Sequence, residues 1–92
     1  MPPNCLKITI HLDSGSTVSF YTKLEKADEW KQKLAELIDQ DKPIIIQQMA
    51  VEYLNDTNLY RYNDGQVHPK HIVFWAMKPA GLPPEKEKYI VN

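Results

Sequence analysis

Two histidines three positions apart, His68 and His71, have the spacing that best fits a shared metal ion in this chain. Cys5 and His11 could add ligands from elsewhere in the fold. However, Pro69 lies between the two histidines, and no second close pair of ligands accompanies them. We therefore predict a polar loop that joins two strands, with no metal and no cofactor.

Serine, histidine and aspartate occur close together in the segment from His11 to Ser16, and these types could form a nucleophilic triad with Ser14 or Ser16, His11 and Asp13. A catalytic serine needs a strained, exposed elbow and an oxyanion hole, whereas these serines fall in a short loop between two strands. The three glycines form no phosphate-binding fingerprint. We predict that the protein is not an enzyme.

Aromatic and methionine side chains are more numerous than a single helix-covered sheet face can bury. Tyrosine, tryptophan, methionine and arginine are enriched at the centres of protein interfaces. The sequence therefore predicts a non-catalytic binding protein that contacts another protein and itself, as a homo-oligomer. The candidate binding residues are Tyr21, Tyr53, Tyr60, Arg61, Tyr62, Lys70, His71, Trp75 and Met77.

Two other interpretations of these aromatic residues stay open. In the first, they stack on a small nucleotide-like ligand at a subunit interface, and Lys7, Arg61 and Lys70 neutralise its negative charge. In the second, they only complete the core, since a domain this small uses its sheet edges as walls.

Charge and cysteine content exclude several partners and compartments. The 92 residues include 11 basic and 12 acidic side chains, which gives a net charge of −1. Arg61 is the sole arginine, so the balance argues against sequence-specific DNA binding. A single cysteine, Cys5, fits a reducing compartment, and no segment has the pattern of a signal peptide or a membrane span. We expect a cytoplasmic protein that does not contact a membrane.

The elements that position these residues begin with a predicted β-hairpin. Apolar residues alternate over Leu6–Leu12 and again at Val18 and Phe20. Because directly paired residues of antiparallel strands share a face, a two-residue loop would pair an inward residue with an outward one. A three-residue loop, Asp13-Ser14-Gly15, pairs Ile8 with Phe20 and places glycine at the left-handed position of the turn.

A helix should follow. Thr22 and Glu25 have the spacing of a capping box, which predicts a start near residue 23. Pro43 excludes continuation, so the helix should end near residues 39–41. Its apolar stripe, which we predict to face the core, consists of Ala27, Trp30, Leu34, Leu37 and Ile38.

The remaining elements are predicted as strands. In residues 44–54 the alternating apolar positions switch from even numbers, at Ile44 and Ile46, to odd numbers from Met49 onwards. This switch predicts a bulge near Gln47-Gln48. Leu59–Tyr62 should form a short strand that enters a tight turn at Asn63-Asp64-Gly65, after a turn at residues 55–58. Residues 72–77 are apolar at both parities, which is typical of a strand buried on both faces, either in the centre of the sheet or at a subunit contact.

The chain thus reads as one α+β domain over residues 1–79, with an N-terminal hairpin and one amphipathic helix packed on a mostly antiparallel sheet of four to six strands. Residues 80–92 read as a proline-rich, extended C-terminal tail whose apolar end, Tyr89-Ile90-Val91, could pair with a sheet edge.

The order of these elements, with the segment from Lys7 to Phe20 and the later His68-Pro69-Lys70-His71-Ile72-Val73, resembles that of small uncharacterised bacterial and prophage proteins. The resemblance implies a compact, non-catalytic accessory protein, often oligomeric, of the kind that mobile elements use to modulate a host component. It assigns no function to any residue.

Overall fold

The computed structural model describes residues 2–52 and 63–91, which form an α+β architecture with a helix on one face of a mostly antiparallel sheet. The fold class predicted from the sequence is confirmed. The strands and the helix are β1 (Cys5–Leu12), β2 (Thr17–Thr22), α1 (Ala27–Asp39), β3 (Ile44–Glu52), β4 (Asn63–Val67), β5 (Ile72–Ala80) and β6 (Ile90–Val91). The strand order is β4-β3-β2-β1-β5, and β6 pairs in parallel with the end of β2.

The N-terminal hairpin has the predicted register. Ile8 lies opposite Phe20 and Ile10 opposite Val18. The loop is closed by a hydrogen bond from the Gly15 amide to the Leu12 carbonyl, at 3.0 Å. Gly15 has a φ of 89°, a conformation that glycine adopts without the steric penalty of a Cβ atom.

The core lies between α1 and the face of the sheet that it covers. Trp30 and Leu34 are buried on the helix, and Phe20 meets the Trp30 ring edge-on with centroids 5.0 Å apart. The predicted apolar stripe is confirmed, since Ala27, Leu37 and Ile38 also pack against this cluster. The buried members of the cluster are Leu6, Ile8, Ile10, Val18, Phe20, Trp30, Leu34, Ile44, Ile46 and Val67.

The helix does not begin with the predicted capping box. Thr22 is fully buried, and its hydroxyl accepts a hydrogen bond of 3.1 Å from the Trp30 indole nitrogen. The chain enters α1 through a turn of 3-10 helix, Leu24–Lys26, without a side-chain cap. The capping prediction is wrong because a buried indole N–H needs an acceptor, and the threonine hydroxyl supplies it.

The helix ends near residue 39, as predicted, through backbone geometry. The Asp41 amide bonds the Ile38 carbonyl and the Lys42 amide bonds the Leu37 carbonyl, at 3.2 and 2.9 Å. Asp41 has a φ of 54°, so these bonds form a Schellman termination with an aspartate at the left-handed position.

Strand β3 contains the predicted bulge. Its register with β4 shifts between Ile46 and Met49, and Gln48 has a φ of 53°. The Gln48 amide, which the bulge removes from the ladder, donates to the Asp64 carboxylate at 3.1 Å. The predicted change of parity is therefore real, and a side chain from the neighbouring strand satisfies the displaced amide.

The predicted turn at Asn63-Asp64-Gly65 is wrong, because these residues begin strand β4 and pair with β3. Gly65 lies opposite Ile46, and a Cβ atom there would collide with the Met49 side chain. Gly65 thus leaves room for the end of the flexible Met49 side chain, which a larger residue would displace, and it does not form a turn. The predicted strand Leu59–Tyr62 and the turn at 55–58 lie outside the described residues.

Strand β5 forms an edge of the sheet and not its centre. Within residues 2–52 and 63–91 it pairs with β1 alone, and it places Val73 and Phe74 in solvent, 63% and 55% exposed. Trp75 and Met77 are half-buried against the core. The central-strand alternative is wrong because β1 occupies the inner side of β5 and the described part of the chain supplies no outer neighbour. The other alternative, a subunit contact, stays a prediction.

The C-terminal segment packs on the domain. The Asn4 side chain forms two hydrogen bonds with the backbone of Leu82. Its amide nitrogen donates to the Leu82 carbonyl and its amide oxygen accepts from the Leu82 N–H, each at 2.9 Å. Residues Pro84–Tyr89 form a 3-10 helix where an extended tail was predicted, since prolines fit the fixed φ of a helical first turn. A domain boundary after residue 79 stays a prediction.

None of the helices in the described part of the chain is both long enough and apolar enough to cross a membrane.

Candidate functional site

The face of the sheet opposite α1, here called the open face, carries three rows of side chains across β2, β1 and β5. Each row consists of directly paired residues, and therefore of residues on the same side of the sheet. In strand order, the rows are Tyr21, Lys7 and Lys78; Ser19, Thr9 and Ala76; and Thr17, His11 and Phe74.

The first row is cationic. Lys7 and Lys78 face each other directly across β1 and β5. Like charges at directly opposed positions destabilise a sheet. No carboxylate stands among the described residues that line this part of the open face, so no acidic side chain there offsets the repulsion.

The third row is aromatic. The rings of His11 and Phe74 are stacked, with centroids 4.1 Å apart and planes inclined by 18°. Thr17 Oγ1 lies 3.5 Å from His11 Nδ1 on the other side of the imidazole. Both neighbours restrict the histidine ring, while Phe74 keeps more than half of its surface in solvent.

The middle row is made of small residues, and it leaves a groove of about 390 Å³ between the cationic and the aromatic row. This volume lies within the range of small-molecule sites. The floor offers the hydroxyl groups of Thr9 and Ser19. The groove is lined by Lys7, Thr9, His11, Thr17, Ser19, Ala76, Met77 and Lys78.

The outer edge of β5 is a second candidate surface. The Asn4 amide donates to the Ala80 carbonyl at 3.0 Å, which shows that the backbone groups of Ala80 point towards β1. In an antiparallel ladder the direction alternates, so the backbone groups of Trp75, Met77 and Pro79 point outwards. Pro79, which has no N–H, thus occupies the side of an edge strand that tolerates proline.

The crossover from β4 to β5 lies beside the hairpin loop. The His71 Nδ1 atom is 3.2 Å from the Asp13 carboxylate, and both side chains are about half exposed. Ser14 Oγ accepts a hydrogen bond of 3.4 Å from the backbone amide of Ser16. His11 lies on the open face, away from this loop. The predicted triad is therefore not assembled, because His11 stacks on Phe74 instead of contacting Asp13 or the two serines.

A cleft of about 430 Å³ lies at this end of the molecule and includes both His68 and His71 in its lining. Within residues 2–52 and 63–91, no group of three or more histidine, cysteine, aspartate or glutamate side chains could hold a metal ion.

Cys5 is fully buried at the start of β1, and its Sγ lies 3.3 Å from the Ala80 carbonyl oxygen as a hydrogen-bond donor. Burial raises the pKa of the Cys5 thiol above its ordinary value. This thiol is consequently a structural group and a weak nucleophile.

The residues predicted as a binding site are not all on one surface. Tyr21 lies on the open face beside Lys7, whereas Trp75 and Met77 point to the covered side of β5. Lys70 and His71 are the two exposed residues of the 3-10 turn Pro69–His71. Tyr53, Tyr60, Arg61 and Tyr62 lie outside the described residues.

Sequence reasoning did not propose Thr9, Ser19, Lys78 or the neighbouring Phe74 as binding residues, and it considered His11 only for a metal site or a triad. Alternation placed Thr9 and His11 on the polar side of β1, but only the pairing of β1 with β5 sets Phe74 beside His11 and Lys78 beside Lys7. The register also shifts at a bulge between His11 and Leu12, so the lengths of β1 and β5 do not predict which of their residues pair.

Comparison with family models, curated proteins and solved structures found nothing that matches this chain.

Proposed function

We propose that this protein is a non-catalytic binding protein that acts through protein–protein contact, and that the outer edge of β5 pairs with the same edge of a second copy. The observation that carries the proposal is the edge itself. It is nine residues long, it has no neighbour in the described part of the chain, and it carries exposed apolar side chains.

Free strand edges of this kind are unusual in soluble proteins, because unpaired N–H and C=O groups template the addition of another strand. Short strands and charged side chains normally protect an edge. Strand β5 has neither protection over Val73–Met77, although Pro79 limits pairing at its C-terminal end.

The side chains of β5 favour one register. Antiparallel pairing centred on Ala76 sets Trp75 opposite Met77 of the second copy, which completes the burial of two half-exposed apolar groups by a sulfur–aromatic contact. It also sets Phe74 opposite Lys78 of the second copy, where a cation–π contact can form. A register centred one residue later would set Trp75 opposite Pro79 of the second copy and lose the direct pairing of Trp75 with Met77.

The same proposal includes a cytoplasmic location and a further protein as the target of the oligomer. The single reduced cysteine and the resemblance to small prophage proteins support it. An accessory protein of this kind would present two copies of each remaining surface to its partner.

The test uses the symmetry of the pairing. Ala76 is exposed in the monomer. In the proposed dimer it lies on the two-fold axis, directly opposite Ala76 of the second copy. We expect Ala76→Glu and Ala76→Lys each to be monomeric, since two like charges would lie about 5 Å apart between Cβ atoms. A mixture of the two variants should restore a dimer with one copy of each.

Size-exclusion chromatography with light scattering, followed by native mass spectrometry, measures these states. Gln66→Glu on the opposite edge strand β4 is the matched control, and it should leave the wild-type dimer unchanged. A monomeric wild type at the highest soluble concentration, or a mixture that fails to form the mixed dimer, would overturn the proposal.

A further inference from the structure

The groove on the open face has a cationic end, a floor of small residues and an aromatic end. We infer that it binds a nucleotide, with the phosphate between Lys7 and Lys78 and the base against the stacked pair of His11 and Phe74. This site shares Phe74, Ala76 and Lys78 with the proposed contact between two copies, whereas Lys7, Thr9 and His11 belong to the groove alone, because it reaches inwards to β1 and β2.

The cationic end is arranged for an anion. Lys7 and Lys78 are direct neighbours across two strands, an arrangement that is unfavourable when the site is empty. The described residues that line the groove contribute no acidic side chain. Asp13, an acidic residue at the far end of the hairpin, is paired with His71 instead. A phosphate between the two ammonium groups would replace their repulsion by charge-assisted hydrogen bonds.

The aromatic end is arranged for a planar ring. The His11 and Phe74 rings are nearly parallel at 4.1 Å, and Phe74 is 55% exposed. A base that lies in the groove can turn its π-face to the edges of these two rings, which is a preferred geometry of aromatic contacts. Such contact tolerates different bases, so we expect purines to bind more tightly than pyrimidines through their larger ring surface.

The floor and the spacing fit the middle of the ligand. The cationic and aromatic rows are four residues apart along β1, from Lys7 to His11. Each residue of a strand rises roughly 3.3 Å, so the rows lie roughly 13 Å apart. Flexible lysine side chains can shorten this span to that of a mononucleotide. Between the rows, the hydroxyl groups of Thr9 and Ser19 are hydrogen-bond partners for a sugar, and Ala76 leaves room for it.

The experiment is a titration of the isotopically labelled full chain with the four common nucleoside monophosphates, followed by amide shifts in NMR spectra. Inorganic phosphate and adenosine are titrated separately. We expect adenosine monophosphate to shift amides of β1, β2 and β5, and to bind at least about tenfold more tightly than either fragment, because phosphate and base contacts add.

Two variants test the phosphate contacts and one tests the stack. Lys7→Gln and Lys78→Gln should each weaken binding of adenosine monophosphate about tenfold or more. Phe74→Leu should reduce the affinity for adenosine monophosphate towards that for inorganic phosphate. The matched control is Lys31→Gln on the solvent side of α1, which removes the same charge far from the groove and should bind as the wild type does.

Several results would overturn the inference. These are the absence of binding for all four nucleotides, equal affinities for adenosine monophosphate and inorganic phosphate, or unchanged binding by the two groove lysine variants. Lys7 lies on β1, inside the sheet, so Lys7→Gln should keep the oligomeric state of the wild type. Failure of the dimer and failure of the nucleotide site are therefore distinguishable.

Discussion

The two phenylalanines of this protein lie on opposite faces of one sheet and have different surroundings. Phe20 is fully buried beneath α1 and meets Trp30 edge-on at 5.0 Å. Phe74 stacks on His11 at 4.1 Å and keeps 55% of its surface in solvent. The same residue type thus stabilises the fold on the covered face and stays accessible on the open face, where we propose that other molecules bind.

The largest effect that separates the two faces is expected from truncating each phenylalanine. Phe20→Ala should lower the free energy of unfolding by about 3–5 kcal/mol, because it removes a large buried ring and leaves a cavity. Phe74→Ala should lower it by only about 0.5 kcal/mol, as is usual for an exposed position. Urea unfolding of dilute protein, followed by tryptophan fluorescence, measures both. Equal losses would contradict the division between the faces.

A smaller effect is expected from the buried hydrogen bond between Trp30 and Thr22. Thr22→Val keeps the shape of the side chain but leaves the indole N–H without its acceptor, so it should destabilise the protein by about 1–3 kcal/mol.

Two matched variants separate the hydrogen bond from packing in the same unfolding measurement. Thr22→Ser retains the acceptor and should lose only about 1 kcal/mol for the missing methyl group. Thr9→Val on the open face should change stability by no more than about 0.5 kcal/mol. If Thr22→Ser is as unstable as Thr22→Val, the hydrogen bond is not what stabilises this position.

The smallest effect should have the opposite sign. Lys78→Gln removes the like-charge contact with Lys7 and should raise the free energy of unfolding, without added nucleotide, by about 0.2–1 kcal/mol. The gain should shrink at high salt, because exposed charges are screened. Lys31→Gln serves again as the control. A loss of stability at low salt would show that the two lysines do not repel each other.

Much of the fold could be predicted from local patterns. The hairpin register follows from parity and one glycine, and the helix stripe follows from its spacing. The bulge at Gln47-Gln48 follows from a change of parity inside one apolar run. In each case the information lies within a few neighbouring residues, and the structure confirms the prediction.

The predictions that failed involve partners distant in sequence. The Thr22 hydroxyl binds the Trp30 indole instead of capping a helix, and Gly65 admits the Met49 side chain instead of forming a turn. Among the described strands, the apolar run of β5 lies at an edge and not at the centre. The groove was missed for the same reason, because its two ends form only when β5, more than 60 residues from β1, aligns beside it.

Local patterns are enough to predict the alternation of β1 and β2, the apolar stripe of α1 and the turn between the first two strands, because short-range sterics and the period of side chains act within each element. Contacts between distant segments set which face α1 covers, which of the described strands lies at the edge, and that Lys7 meets Lys78 while His11 meets Phe74. Those outcomes depend on strand order and register, which are set by packing between elements that are remote along the chain.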